Sequence, residues 1–252
     1  MSTPAVRGFR FEASPRRVRG KSGRATVADS KHARLLFEPG RIPVYWFPKT
    51  DVRMDLLEPA GRGKRDSKGT PALFHVVMGR KRAPDAAFTY ARTPAGVPTL
   101  KDHVAFVWEA MDAWYEEDEE IFVHARDPYK RVDAIRSRRH VEVALGGTVL
   151  AETRKPVLLF ETGLPTRYYL PRADVRTRLL VPSPTLTRCP YKGVASYYSV
   201  RIGAALHADL VWTYPDPIPE CPKIKGLLCF YNEKVDITAD GVVLKRPKTH
   251  WS

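Results

Sequence analysis

One segment in the second half of the chain brings together a thiol, an amine and several phenols. It reads Thr187-Arg188-Cys189-Pro190-Tyr191-Lys192-Gly193 and continues as Ala195-Ser196-Tyr197-Tyr198-Ser199-Val200. The pattern predicts a loop that leads into a β-strand. The cations Arg188 and Lys192 favour the thiolate form of Cys189, which is the nucleophilic form. The segment therefore indicates nucleophilic or anion-binding chemistry. The alternative is structural, with Cys189 as a small buried filler and Lys192 in a solvated turn.

A second cluster, Trp212-Thr213-Tyr214-Pro215-Asp216-Pro217, places aromatic rings before a carboxylate that proline residues hold in a rigid loop. Such a cluster can line a small-ligand pocket, although core packing followed by a turn produces the same pattern. We predict a small-molecule site in the second half, in which Lys192 and Arg176 hold an anionic group such as a nucleotide phosphate. Cys189 is the catalytic candidate. The ligand-binding candidates are Lys192, Arg176, Tyr191, Tyr197, Tyr198, Trp212, Tyr214 and Asp216.

No metal or cofactor site is predicted. The sequence has no C-x-x-C pair, Cys221 and Cys229 stand eight positions apart, and the seven histidines are scattered. P-loop, G-x-G-x-x-G and G-x-S-x-G motifs are also absent from the sequence. We therefore expect a protein without a bound metal or cofactor.

The sequence contains an internal repeat that relates its two halves. A shift of 123 positions, which becomes 124 after Pro59 and Pro182, keeps the halves in register over most of their length. This period is too long for a solenoid and indicates domain duplication. We predict a first repeat at residues 16–120 and a second at 138–246. Aligned pairs include Phe37-Glu38 with Phe160-Glu161, Lys68-Gly69 with Lys192-Gly193, and Thr89-Tyr90 with Thr213-Tyr214.

Differences between the repeats sharpen the choice of site residues. Cys189, Tyr191 and Tyr197 are replaced in the first repeat, where Arg65, Ser67 and Leu73 stand at their positions. Groups found in one repeat only are better candidates for a site than groups found in both. Asp174, Arg176, Lys192 and Tyr214 have counterparts in the first repeat, so a structural role such as an ion pair competes for them.

The fold class is predicted to be all-β, built from two copies of a small antiparallel domain. Short runs rich in β-branched and aromatic residues are bounded by Gly, Pro or Asp, and no stretch keeps helical periodicity for three turns. Gly146-Gly147 and Asp240-Gly241 predict hairpin turns. One short helix with an N-cap aspartate is expected at Asp51 to Leu57, and another at Asp174 to Leu180.

Charge suggests a different function. The net charge is +14, and a basic N-terminal arm supports an alternative in which the protein binds nucleic acid or an acidic partner. The other basic residues are spread out, and the excess of Arg over Lys fits GC-rich coding. The acidic run Glu116 to Glu120 is expected to be solvated or to hold the arm. The arm consists of Arg7, Arg10, Arg16, Arg17, Arg19, Lys21 and Arg24.

Location is inferred from what the sequence lacks. The longest apolar run is strand-sized, no signal-peptide pattern is evident, and the three cysteines do not suggest a disulfide framework. We expect a cytoplasmic protein that does not insert into a membrane.

The same segments resemble a known bacterial family, the "domain of unknown function 427". The resemblance covers both repeats and is most specific at Cys189-Pro190-Tyr191-Lys192-Gly193 and Trp212-Thr213-Tyr214-Pro215-Asp216-Pro217. It implies a β-tent fold related to methionine sulfoxide reductase B and to cereblon ligand-binding domains. Those relatives carry zinc on paired C-x-x-C motifs, which this sequence does not have. The family is also catalogued as nucleotidyltransferase-like, which implies transferase-type chemistry.

Overall fold

The computed structural model describes residues 8–252, so Arg7 of the predicted basic arm lies outside the described residues. The chain divides into two compact units, one reaching to Asp127 and the other spanning Pro128–Ser252. Among its described residues, the first unit contains eleven strands. They are β1 (Arg10–Ala13), β2 (Val18–Ser22), β3 (Ala25–Ser30), β4 (Arg34–Phe37), β5 (Val44–Pro48), β6 (Leu57–Arg62), β7 (Ala72–Met78), β8 (Lys81–Thr89), β9 (His103–Phe106), β10 (Ala113–Glu116) and β11 (Glu119–Ile121).

The second unit repeats this plan. Its strands are β12 (Val132–Arg136), β13 (Val141–Leu145), β14 (Thr148–Thr153), β15 (Val157–Glu161), β16 (Arg167–Leu170), β17 (Leu180–Cys189), β18 (Gly193–Ile202), β19 (Ala205–Thr213), β20 (Leu228–Phe230), β21 (Asp236–Ala239) and β22 (Val242–Val243). The helices described in the two units are short 3-10 turns at Lys49–Asp51, Met54–Leu56, Trp108–Ala110, Arg172–Asp174, Thr177–Leu179 and Pro222–Ile224.

Both units have the same sheet topology, which confirms the predicted duplication of an all-β domain. The first unit has a seven-stranded sheet in the order β1-β4-β5-β9-β8-β7-β6 and a four-stranded sheet in the order β11-β10-β2-β3. The second has the orders β12-β15-β16-β20-β19-β18-β17 and β14-β13-β21-β22, which correspond strand for strand to the first. The named strand pairs are antiparallel.

Apolar side chains cover both faces of each seven-stranded sheet. Successive residues of a strand point to opposite faces, so a continuous apolar run such as Leu158-Leu159 supplies both. Leu158 joins the main core with side chains of both sheets, whereas Leu159 joins a separate cluster on the other face. Leu35 and Leu36 divide in the same way in the first repeat. Antiparallel sheets commonly leave one face polar, so the second apolar face marks a place where something packs or binds.

The two predicted helices do not form. Each segment contains two separate 3-10 turns, because the valine between them is extended and bridges to a strand: Val52 to Ala28 and Val175 to Ala151. The aspartates do not cap these turns. Asp51 instead accepts a hydrogen bond of 2.6 Å from Ser30, and Asp174 accepts the corresponding hydrogen bond in the second repeat.

Two edge strands of the second repeat were not predicted. β17 contains Pro182 and Pro184, and proline, which has no N–H to donate, is tolerated at a sheet edge. β12 precedes residue 138, where the second repeat is predicted to begin. The predicted hairpin turns are confirmed, since Gly146, Gly147, Asp240 and Gly241 all have positive φ between paired strands.

The acidic run holds much of the basic arm. Glu116 is buried and accepts hydrogen bonds from Arg16 and from the Tyr45 hydroxyl. Burial and the adjacent Glu116 carboxylate raise the pKa of Tyr45. Arg19 pairs with Asp118 at 2.9 Å, and Arg17 pairs with Asp29 of the neighbouring strand at 2.6 Å. Much of the charge of this arm is therefore neutralised within the fold.

Candidate functional site

The second apolar face of the second repeat carries a buried polar group built from three elements. Lys192, in the turn between β17 and β18, donates a hydrogen bond to Glu161 at the end of β15. Tyr214, just after β19, is buried in the cluster on this face. Burial raises the pKa of Tyr214, and the nearby Cys189 sulfur adds to this effect. The phenol is therefore held neutral beside an ammonium–carboxylate pair.

Cys189 ends β17 and is half-buried against this group. The Lys192 ammonium and the Cys189 sulfur interact electrostatically. Burial alone lowers the pKa of Lys192, but Cys189 and Glu161 outweigh it and raise the pKa above its ordinary value. A positive charge, paired with the Glu161 carboxylate, is thus held near the thiol.

Aromatic rings close the rest of this face. The Tyr197 hydroxyl lies 2.9 Å from Thr187 Oγ1, and Trp212 Nε1 donates to the Tyr169 hydroxyl at 3.0 Å. Trp212 also packs against Tyr231, with ring centroids 4.7 Å apart. These side chains pack against one another and leave no open site among them for the ring of a ligand.

Arg167 and Glu233 form a buried ion pair beside these rings. The guanidinium donates two hydrogen bonds, of 2.7 and 2.8 Å, to the carboxylate. It lies between two indoles, 5.5 Å from the Trp212 centroid and 5.2 Å from that of Trp251. Thr249 donates a further hydrogen bond of 2.7 Å to Glu233. The C-terminal segment therefore packs over this end of the face.

Of the sequence-predicted residues, Cys189, Lys192, Tyr197, Trp212 and Tyr214 lie in this one cluster. The other candidates lie elsewhere. Tyr198 faces the main core side, where Arg172 contacts it, and Arg176 is exposed beside the smaller sheet. Asp216 is exposed and pairs with Lys225 at 2.9 Å, and Tyr191 is half-buried in the turn before Lys192.

The first repeat keeps the same polar group, but there it lines an open cavity of about 640 Å³. Lys68 Nζ lies 3.0 Å from Glu38 Oε2 and 3.0 Å from Asp66 Oδ2, and its side chain is only 8% exposed. The Tyr90 hydroxyl donates to Asp66 at 2.6 Å. Burial alone raises the pKa of Asp66, but hydrogen bonds from Tyr90 and Lys68 reverse this effect and lower it.

The walls of this cavity are apolar. Leu36, Trp46, Leu73 and Phe88 line it, and the exposed Val44 lies at its rim. Trp46 and Phe88 pack edge to face, with centroids 5.5 Å apart. The buried Trp46 Nε1–H has no hydrogen-bond partner among the described residues. The cavity thus joins an aromatic wall to a charged end.

The retained Lys-Gly pair has a structural cause. Gly69 and Gly193 have φ of +116° and +106°, a region that residues with a Cβ avoid. A Cβ on Gly193 would lie 3.3 Å from the Ile218 amide nitrogen, and one on Gly69 would lie 3.1 Å from the Arg92 carbonyl oxygen. The backbone that approaches this glycine closely is therefore the protein's own loop.

A comparison with family models matches "Domain of unknown function (DUF427)" twice, over residues 10–117 and 133–241, which together cover most of the chain. The chain belongs to this family. Each match falls on one of the two units, so the protein is a tandem DUF427 protein. No curated protein matches the chain.

Several polar residues on the second apolar faces of the two DUF427 repeats were not predicted from the sequence. Glu38 and Glu161 were noted only as matching positions of the repeat, yet each pairs with the lysine of its own repeat. An acid retained in both copies together with a retained lysine was the signal available. Arg167 gave a different signal, since it is replaced by Val44 in the first repeat, while Glu109 stands at the position of Glu233.

Within residues 8–252, no group of three or more His, Cys, Asp or Glu side chains is arranged to hold a metal ion. None of the helices described for this DUF427 chain has the length and apolar character needed to cross a bilayer.

Proposed function

We propose that the first repeat binds a small molecule with a flat apolar body and one uncharged polar end. The observation that carries this proposal is the open cavity of about 640 Å³, a size typical of small-molecule sites. Sequence analysis placed the ligand in the second repeat. There, the corresponding face is packed with the chain's own aromatic rings and the Arg167–Glu233 pair.

The polar end of the cavity favours an uncharged group over an anion. The single buried ammonium of Lys68 already lies between the carboxylates of Glu38 and Asp66. Arg41, which also lines the cavity, lies 3.4 Å from Glu38, so both cations of this end are already paired with carboxylates and an added anion would have to compete with those carboxylates for them. A hydroxyl or amide can donate to a carboxylate there without this competition, while its ring packs on the wall of Trp46 and Phe88.

The experiment is a fluorescence titration with 1-naphthol, an uncharged aromatic alcohol, and with 1-naphthalenesulfonate, an anion of similar shape. We expect saturable binding of 1-naphthol at one site and weaker binding of the sulfonate. Leu73→Trp fills the cavity and should weaken 1-naphthol binding at least about tenfold. Leu186→Trp, on an exposed edge of the second repeat, is the matched control and should have no effect.

Two results would contradict this proposal. One is the absence of saturable binding of 1-naphthol to the full chain. The other is equal binding by the wild type and the Leu73→Trp variant when both unfold cooperatively at similar urea concentrations, since the probe would then bind elsewhere.

A second candidate function is transferase-type nucleophilic chemistry at Cys189. The position of the half-buried Cys189 sulfur near the Lys192 ammonium favours it. We expect iodoacetamide to alkylate Cys189 several-fold more slowly in a Lys192→Met variant, because the positive charge near the reacting sulfur is gone. An unchanged alkylation rate in a folded Lys192→Met variant would remove the support for this candidate.

A further inference from the structure

A basic cleft in the second repeat borders the second apolar face at Val157 and Leu227 but contains none of the polar site residues described above. Three segments meet there: the end of β12 with the loop that follows it, the turn between β14 and β15, and the 3-10 helix Pro222–Ile224. Arg136 pairs with Val157 across the strands, Ser137 N donates to the Pro156 carbonyl at 2.9 Å, and Lys223 Nζ donates to the Ala134 carbonyl at 3.0 Å. These contacts fix the cleft within one unit.

Five cationic side chains line this cleft: Arg136, Arg138, Arg154, Lys155 and Lys223. No acidic residue is among those lining it, and the structure pairs none of these five with a carboxylate within the described residues. The basic arm of the first repeat differs, since several of its arginines pair with acids. The cleft therefore concentrates uncompensated positive charge in one place.

The cleft is specific to the second repeat. The positions equivalent to Arg136, Arg138 and Lys223 are Ala13, Pro15 and Thr99 in the first repeat, and those equivalent to Arg154 and Lys155 are Lys31 and His32. The backbone around these positions is shared, because Ala13 pairs with Arg34 just as Arg136 pairs with Val157. The duplicated fold does not itself need this charge, so a function of the second repeat is its better explanation.

We propose that this cleft binds the oligophosphate group of a small molecule. Its volume of about 1060 Å³ exceeds the needs of a single phosphate, and five cationic side chains that line one cleft suit an anion with several charges. Among the residues that the structure describes, no aromatic side chain lines the cleft. Single-stranded nucleic acid sites combine a basic groove with aromatic rings on which bases stack, so the lining favours a compact oligophosphate over a nucleic acid strand.

The experiment measures binding of inorganic tripolyphosphate to the full chain by calorimetry, with a single-stranded oligodeoxynucleotide as the second probe. The test variant is Arg136→Gln/Arg154→Gln. The control variant, Arg178→Gln/Arg201→Gln, removes the same number of charges from exposed positions of the same repeat outside the cleft. We expect the test variant to weaken tripolyphosphate binding at least about tenfold and the control to stay within about twofold of the wild type.

Three outcomes would overturn the proposal. Tripolyphosphate binding that is absent at low salt removes the site. Equal losses in the test and control variants would mean that net charge, and not the cleft, attracts the anion. Tighter binding of the oligodeoxynucleotide, lost in the test variant, would make the cleft a nucleic acid site. Thermal unfolding of each variant without ligand shows whether the substitutions leave the fold intact.

Discussion

Arg167 donates two hydrogen bonds to Glu233 while both side chains are almost fully buried, at 7% and 0% exposure. Removing one partner of a buried pair leaves an uncompensated charge in the interior, which is far more costly than losing a surface pair. We predict that Glu233→Gln lowers the free energy of unfolding by about 3 kcal/mol. Urea denaturation measures this.

The control is Lys225→Gln, which breaks the exposed pair with Asp216 and should cost no more than about 1 kcal/mol. Equal losses in the two variants would show that the buried pair contributes nothing beyond a surface contact.

Stability should fall in acid because of the same carboxylate. Although burial favours its neutral form, hydrogen bonds from Arg167 and Thr249 lower the pKa of Glu233 below the ordinary 4.5. A group with a lowered folded pKa stabilises the fold above its unfolded pKa, and this contribution is lost as pH falls through the folded pKa.

The free energy of unfolding should therefore decrease as pH falls below about 4.5. Denaturation curves at a series of pH values measure it. The decrease should be shallower for Glu233→Gln than for the wild type, and parallel curves would exclude Glu233 as a source of the acid sensitivity.

Gly193 should tolerate alanine poorly. Its φ of +106° opposes a side chain, and so does the backbone of residues 216–218, which lies close to where a Cβ would stand. We predict that Gly193→Ala lowers the free energy of unfolding by about 2 kcal/mol. Gly203→Ala is the matched control, since its φ is +57° and no atom lies within 4 Å of a Cβ there. A Gly203→Ala variant as unstable as Gly193→Ala would refute the role of close backbone approach.

The three cysteines should react in a fixed order in the native protein. Cys189 is half-buried beside a cation, whereas Cys229 is fully buried and burial raises its pKa to about 12. Burial also raises the pKa of Cys221. Mass spectrometry after timed iodoacetamide treatment should show Cys189 modified first and Cys229 last. Early modification of Cys229 would mean that the unit opens readily.

Much of the fold was predictable because each strand pattern is local. Alternation, turn glycines and the internal match of Lys68-Gly69 with Lys192-Gly193 predicted the strands and the duplication. β17 was missed because Pro182 and Pro184 look like strand breakers, and only its position at a sheet edge makes them compatible. Edge position is a property of the whole sheet and is not visible in a local pattern.

Only part of the candidate site could be predicted. Sequence comparison drew attention to Cys189 and Tyr197 because the first repeat lacks them, and both lie on the second apolar face. The same comparison directed attention away from the first repeat. Its cavity exists because Leu73 is small where Tyr197 is large, and a missing side chain leaves no motif to find.

The second apolar face of the second repeat shows which groups fill the space that is open in the first repeat. Where the second repeat has the phenol of Tyr197 and the guanidinium of Arg167, the first has the smaller Leu73 and Val44, and these line its cavity. The side chains of the second repeat therefore indicate the shape of a molecule that could fill the cavity of the first repeat. A search for ligands of the first repeat should start with phenols and with molecules that carry planar groups rich in N–H donors.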